Sequence, residues 1–255
     1  MALLTLDIGN THTTAGLFDG VQLVAQWRIS TQRERTSDEY AVFLKVAFDG
    51  RHLSFARVEG VAVSSVVPSL TPQAAKLARD YFSCEALVVG PDTPMPVKND
   101  YANPREVGAD RLVNALAAWR KYASACIIVD FGTATTVDAI SGKGHYLGGA
   151  IAPGLGISTD ALFRAAARLP RVELLAPGQT LARDTVSSMQ AGIVYGYAGL
   201  VKELVSRCQA EIGESATVIA TGGLAELIAA HVPLIQHVEP ELTLDGLRVL
   251  WEETR

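Results

Sequence analysis

Cysteine is scarce in this chain and poorly placed for any shared task. Cys84, Cys126 and Cys208 are three in number and far apart. They form no Cys-x-x-Cys pair and have no nearby histidine in a zinc pattern. That argues against a disulfide framework and against a structural zinc site. It reads instead as buried thiols of a reducing cytoplasm. Basic runs are missing too, and the formal net charge is −5, which disfavours nucleic acid as a partner. No uninterrupted apolar run approaches the length of a membrane span. The chain starts directly on a strand ending at Asp7, so no signal peptide is expected. What is present is a 255-residue chain with 49% hydrophobic composition, enough for a sizeable core in one large domain or two ordinary ones.

Two stretches organise the rest. Leu3-Leu4-Thr5-Leu6-Asp7-Ile8-Gly9-Asn10-Thr11-His12-Thr13-Thr14 is a short apolar run ending in Asp, then x-Gly, Asn and threonines. Ile127-Ile128-Val129-Asp130-Phe131-Gly132-Thr133-Ala134-Thr135-Thr136 echoes it. Each apolar run reads as a buried strand. The Asp stands at its end, where a carboxylate can meet solvent or a metal. The Gly permits a tight turn with backbone close to a ligand. Hydroxyls and N–H groups in such a turn can cradle phosphate oxygens, while the Asp holds Mg²⁺ directly or through water. One copy alone is as easily an ordinary turn. Two copies with matching Asp, Gly and Thr, opening the two halves of the chain, point to nucleotide binding.

Ala15–Phe18 and Leu23–Ile29 read as strands joined by Asp19-Gly20, a strong hairpin signal. Thr36-Ser37-Asp38-Glu39 fits a capping box, with Tyr40, Phe43, Leu44 and Ala47 following at helical spacing. Val58–Ser64 and Ala86–Val89 are further strands, and Thr71-Pro72 starts a helix between them. Gly90 to Pro104 reads as loop and carries Tyr101, where packing and ligand contact both fit. Asp110 allows two readings. As a structural residue it caps the helix that runs to about Tyr122 or pairs with Arg111; as a functional one it is a carboxylate at the positive end of that helix, next to an Arg that can grip an anion.

The second half repeats the plan. Strands are expected over Ala125–Val129, Thr136–Ile140 and Tyr146–Ile151, with a glycine-rich passage into a helix over Ser158–Leu169. A long helix from about Ser187 to Ala210 carries Gly192, Gly196 and Gly199 on one side. Glycines there cost stability, so close packing against another element or another subunit is expected. Val218–Ala220 is the last core strand, followed by Thr221-Gly222-Gly223, where an adenine ring could lie on bare backbone. Leu242 to Leu247 reads as a turn and a closing helix.

With these residues in place, the chain resembles the type III pantothenate kinases, of the superfamily of actin, sugar kinases and the heat-shock ATPase domain. The resemblance runs nearly end to end. It rests on Asp7-Ile8-Gly9-Asn10-Thr11, Gly108-Ala109-Asp110-Arg111 and Asp130-Phe131-Gly132-Thr133-Ala134-Thr135, together with Gly148 to Gly154 and Thr221-Gly222-Gly223. It implies an α/β fold of two actin-like (ribonuclease H-like) domains, with mixed sheets flanked by helices. Residues 1–115 would form one and 116–255 the other, with the active site between them.

The resemblance also implies roles. Asp7, Ile8, Gly9, Asn10, Thr11, His12, Thr13, Thr14 and Thr133 would bind ATP, with Asp7 near its Mg²⁺. Asp110 would take the proton from the pantothenate hydroxyl. Tyr101, Gly108, Ala109, Asp110 and Arg111 would line the pantothenate site. Thr185 would reach it from across a homodimer interface, although Arg183-Asp184 depart from the family pattern there. Asp130 would hold K⁺ or NH₄⁺. The chemistry agrees, since phosphoryl transfer to an alcohol needs positioning, charge neutralisation and a late proton acceptor. Rival readings are a kinase for another small alcohol, a phosphatase on the same fold, or a non-catalytic nucleotide-binding regulator.

Overall fold

Strand β1 (Ala2–Ile8) is buried at every position except Asp7, which is half-buried near its carboxyl end. The computed structural model describes residues 2–255. β1 lies inside its sheet with both faces covered, so a continuous apolar run suits it better than alternation. It pairs antiparallel with β2 (His12–Asp19), and β2 pairs antiparallel with β3 (Gln22–Ser30). Gly20 at φ 59° makes the turn between them. On its other edge β1 pairs parallel with β4 (Val58–Ser65), which pairs parallel with β5 (Ala86–Val88). The order is β3-β2-β1-β4-β5.

Parallel neighbours need crossovers, and helices supply them. Helix α1 (Ser37–Asp49) precedes β4 and opens on the expected capping box. Thr36 Oγ1 accepts from Glu39 N at 3.3 Å, and Glu39 Oε2 accepts from Thr36 N at 2.8 Å. Helix α2 (Thr71–Phe82) precedes β5, with Pro72 in its first turn. Tyr40, Leu44 and Phe48 of α1 and Leu77 of α2 bury against Leu4, Leu6, Ile8, Val61 and Val63. Burying each such side chain contributes about 1.5–3 kcal/mol.

A two-residue strand β6 (Lys98–Asn99) and helix α3 (Ala109–Tyr122) follow. The plan then recurs. Strand β7 (Ala125–Phe131) has the burial pattern of β1 residue for residue, again with the Asp alone half-buried. β8 (Ala134–Ile140) and β9 (His145–Pro153) add antiparallel on one side, and β10 (Ala216–Thr221) and β11 (His237–Val238) parallel on the other. The order β9-β8-β7-β10-β11 matches the first sheet, with β6 added beyond β9. Helices α4 (Leu155–Ala165) and α5 (Thr185–Ile212) stand where α1 does, and α6 (Ala225–Ala229) stands where α2 does. Met189, Val194, Val201 and Val205 of α5 bury against Ile127, Val129, Val218 and Ala220. The mixed α/β architecture with helix-flanked sheets is as expected. Among the described residues, no helix is long and apolar enough to cross a membrane.

The chain divides into two compact units. One takes residues up to Lys98, Ala102–Ala117 and Thr243–Arg255; the other takes Asn99–Tyr101 and Ala118–Leu242. The last helix, α7 (Leu242–Glu253), therefore packs in the first unit. It runs without a break through Asp245-Gly246, where the sequence suggests a turn. A Cβ on Gly246 would lie 2.3 Å from the Val113 carbonyl oxygen of α3. The glycine is there to let two helix backbones touch, not to turn the chain.

Two other helices differ from expectation at their ends. α4 starts at Leu155 rather than Ser158, because the Gly154 carbonyl already accepts from Ser158 N at 3.0 Å. α5 starts at Thr185, because Asp184 caps it. The three cysteines are free thiols. Burial pushes the Cys126 thiol up to about 11, so it carries almost no reactive thiolate near neutral pH.

Candidate active site

The first turn is built by strand pairing. Ile8 pairs with Thr13, so Gly9, Asn10, Thr11 and His12 form the bend between β1 and β2. Gly9 N donates to His12 O at 3.0 Å, and a Cβ on Gly9 would lie 3.1 Å from that same oxygen. Asn10, Thr11 and His12 are exposed, whereas Ile8 and Thr13 are buried and Thr14 is half-buried. Three residues of the turn thus face solvent, and the rest hold it. Asp7 stands opposite Thr14 on β2 and opposite Ser64 on β4. Ser64 is fully buried and its Oγ has no hydrogen-bond partner in the chain. A carboxylate and a spare hydroxyl at adjacent register positions suit the hydrated Mg²⁺ of a nucleotide, which takes one or two carboxylates and several waters.

The second turn is one residue shorter. Phe131 pairs with Thr135, leaving Gly132, Thr133 and Ala134 between them, with Thr133 exposed. Asp130 pairs with Thr136 on one side and Thr221 on the other. Its Oδ1 would lie only 2.6 Å from a Cβ on Gly222, which adopts φ 91°. The glycine after β10 therefore makes room for the Asp130 carboxylate, a purpose beyond the adenine platform that the sequence suggests. Among the described residues no group of three or more His, Cys, Asp or Glu could hold a metal ion. A monovalent cation needs no such cluster, and a carboxylate oxygen is a donor of suitable hardness.

At α3 the structure places Asp110 inside the first turn of the helix, away from the cap. Gly108 occupies the capping position, its carbonyl accepting from Leu112 N at 3.3 Å. Asp110 is the second helical residue, half-buried, and its Oδ1 accepts from Arg111 N at 2.8 Å. A Cβ on Gly108 would lie 2.5 Å from that Oδ1. The carboxylate thus folds back over bare backbone at the positive end of a helix, where a negative charge is favoured. Arg111 is 8% exposed, well covered for a guanidinium.

Tyr101 is placed by three contacts. Its N–H donates to Asn99 Oδ1 at 3.1 Å, and its ring lies against Gly148, where a Cβ at φ 114° would be 3.5 Å from the ring carbons. Its neighbour Asp100 accepts from or pairs with His145 Nδ1 at 2.7 Å. The ring sits 6.3 Å from that of the buried Tyr146. Tyr146 in turn donates to Asp138 at 2.6 Å.

Thr185 is exposed as the first residue of α5. The Asp184 side chain accepts from Ser187 N at 2.9 Å, and that backbone bond holds its carboxyl below the usual range. The departure at Arg183-Asp184 is thus a helix cap. Thr185 and Ser188 line a groove of about 910 Å³ between α4 and α5, with Ser158, Leu162, Gly192 and Gly196. Gly192, Gly196 and Gly199 are exposed, and a Cβ on any of them would meet nothing within 4 Å. Among the described residues no side chain or neighbouring element packs closely on them.

Two residues near the first turn carry no signal in the sequence. Thr31, just past β3, donates through Oγ1 to Gly9 O at 2.7 Å and through N–H to Thr11 O at 2.9 Å. Tyr40 reaches Thr13 from α1, at 3.3 Å between hydroxyls. The Gly154 backbone takes the corresponding place at the second turn.

Comparison with known proteins gives a consistent answer. A family model described as type III pantothenate kinase matches residues 3–207. A type III pantothenate kinase of Geobacter sulfurreducens is 53% identical over 255 residues, covering 99% of each chain. Among solved structures, component A of (R)-2-hydroxyglutaryl-CoA dehydratase from Acidaminococcus fermentans superposes with a TM-score of 0.58 at 14% identity, covering 98% of this chain and 97% of the other. A ROK family glucokinase from Streptomyces griseus, solved with glucose and AMPPNP, gives 0.54 at 13% identity, covering 98% and 99%. The distant structures share the fold of sugar kinases and actin-like ATPases. With the family model covering most of the chain and a relative sharing half its sequence end to end, this chain belongs to the type III pantothenate kinases.

Proposed function

We propose that the protein transfers the γ-phosphoryl group of ATP to the hydroxyl of pantothenate, giving 4′-phosphopantothenate and ADP, the first step towards coenzyme A. The observation that supports it most is the Asp110 carboxylate, folded onto the first turn of α3 beside the nearly covered Arg111. In this reading the pantothenate hydroxyl oxygen bonds to the γ-phosphorus as the bond to ADP breaks, and Asp110 accepts the hydroxyl proton. Arg111 pairs with the pantothenate carboxylate, with Gly108, Ala109 and Tyr101 shaping that site. Asp7 to Thr14 and Thr133 hold the triphosphate. Mg²⁺, held near Asp7, and a monovalent cation at Asp130 supply charge to offset that of the phosphates. The free thiols favour a cytoplasmic setting.

The test is ADP release from purified protein with MgATP and K⁺, with and without pantothenate, and then with Na⁺ in place of K⁺. ADP is expected only with pantothenate, and at least about tenfold faster with K⁺. Pantothenate-independent ADP release would overturn the acceptor assignment, and equal rates in the two salts would remove the cation from Asp130.

We further propose a homodimer that covers the α5 face and brings Thr185 to the partner's substrate. Its support is the open groove and the three exposed glycines on one side of a helix that would otherwise favour alanine. Gly192→Ala and Gly196→Ala are expected to shift the protein towards monomer in light scattering. If that face meets only water, each substitution instead stabilises the helix by up to about 1 kcal/mol and the mass stays unchanged.

A further inference from the structure

The two phosphate turns differ in length but are gripped from the same place. In the first unit, the last pair of β2 and β3 at this end is His12 with Ser30. In the second, the last pair of β8 and β9 is Ala134 with Pro153. The next residue along is Thr31 in one case and Gly154 in the other. Both lie against the carbonyls of their turn. Thr31 does so by hydrogen bonds to Gly9 O and Thr11 O. Gly154 does so by bare contact, since a Cβ there would lie 2.2 Å from Thr133 O and 2.8 Å from Gly132 O. The longer turn leaves room for a side chain, and the shorter one excludes it.

The direction of the peptide groups follows. In a trans peptide the carbonyl and the next N–H point opposite ways. Drawing Gly9 O and Thr11 O towards Thr31 turns the N–H groups of Asn10 and His12 away from it. The hydroxyls behind Thr31 are ordered to suit. Its proton goes to Gly9 O at 2.7 Å, so at 3.0 Å it accepts from Thr13, and Thr13 at 3.3 Å accepts from the buried Tyr40. The two threonine hydroxyls each donate once and accept once, with Tyr40 as the donor at the end, an arrangement that strengthens such chains. Burial also favours the protonated form of the Tyr40 phenol.

We propose that Thr31 and Gly154 are positioning residues for the nucleotide: each sets its phosphate turn from behind, so that the turn's N–H groups are aimed at phosphate oxygens before ATP arrives. The inference rests on the kinase reading only in taking both turns to hold nucleotide. The proposal gives neither residue a part in holding the acceptor.

The test measures MgADPNP affinity by calorimetry, which needs no acceptor, alongside the KM for pantothenate. Thr31→Val keeps shape but removes the hydroxyl, and is expected to weaken MgADPNP about tenfold with the pantothenate KM within about twofold. Thr31→Ser restores the hydroxyl and is expected within about threefold of the parent. Gly154→Ala, at an ordinary φ of −70°, suffers only the collision with the turn and is expected to weaken MgADPNP at least about tenfold. Parent-like affinity in Thr31→Val would overturn the proposal. So would equal losses in Thr31→Val and Thr31→Ser, or losses that affect pantothenate as much as nucleotide. If the parent binds MgADPNP but makes no pantothenate-dependent ADP, only the acceptor reading fails.

Discussion

Asp110→Asn is expected to lower kcat about a thousandfold while the affinity for MgADPNP stays within about twofold, the range general-base removal spans in other enzymes. The two side chains have the same shape, and the Asn oxygen can still accept from Arg111 N, as Asp110 Oδ1 does at 2.8 Å. Gly108 still leaves room for it, so the start of α3 should survive. The lost charge at a helix N-terminus costs only about 0.3–1 kcal/mol of stability. That is far below the roughly 4 kcal/mol that a thousandfold rate loss represents. The two effects therefore separate cleanly. Rapid-quench turnover and an MgADPNP titration on the same preparation give the answer. A kcat within tenfold of the parent would return Asp110 to a structural part in its helix.

Gly246→Ala is expected to lower stability by about 2 kcal/mol in urea denaturation. Helix propensity alone argues the reverse, because alanine inside a helix is favoured over glycine by about 1 kcal/mol. Here the new methyl would stand 2.3 Å from Val113 O and 2.7 Å from Val113 Cγ1. Backbone atoms of a neighbouring helix cannot swing aside as a side chain can, so α7 must retreat from α3. That retreat also disturbs Leu244 against Gly16, and the bond from Thr243 Oγ1 to Asn114 Oδ1 at 2.8 Å. Gly246→Ala at parent stability would mean that α7 slides along α3 without cost, and that the close approach is not needed.

These two residues show where reading the chain alone succeeds and stops. The Asp turns, the capping box at Thr36 and most strands were legible because local patterns dictate them. An apolar run ending in Asp-x-Gly can do little but close a strand at a turn, and Thr-x-x-Glu satisfies its own helix N-terminus. The roles of Asp7, Asp130 and Asp110 came from resemblance to a family, not from periodicity. Asp245-Gly246 looked like a turn because a glycine's local meaning is conformational freedom, whereas its meaning here is the missing Cβ against Val113.

Local pattern along the chain specifies two halves of like plan, their core strands and the carboxylates at the strand ends. Tertiary structure alone decided that α7 joins the first unit, that Gly222 makes room for Asp130, and that Thr31 and Gly154 stand behind their turns. The physical reason is range. Caps, turns and strand runs are specified by residues within a few positions of each other. A contact between Thr31 and Gly9 spans 22 positions, and one between Gly246 and Val113 spans half the chain. It exists only because the sheet pairing and the helix crossing bring those backbones together.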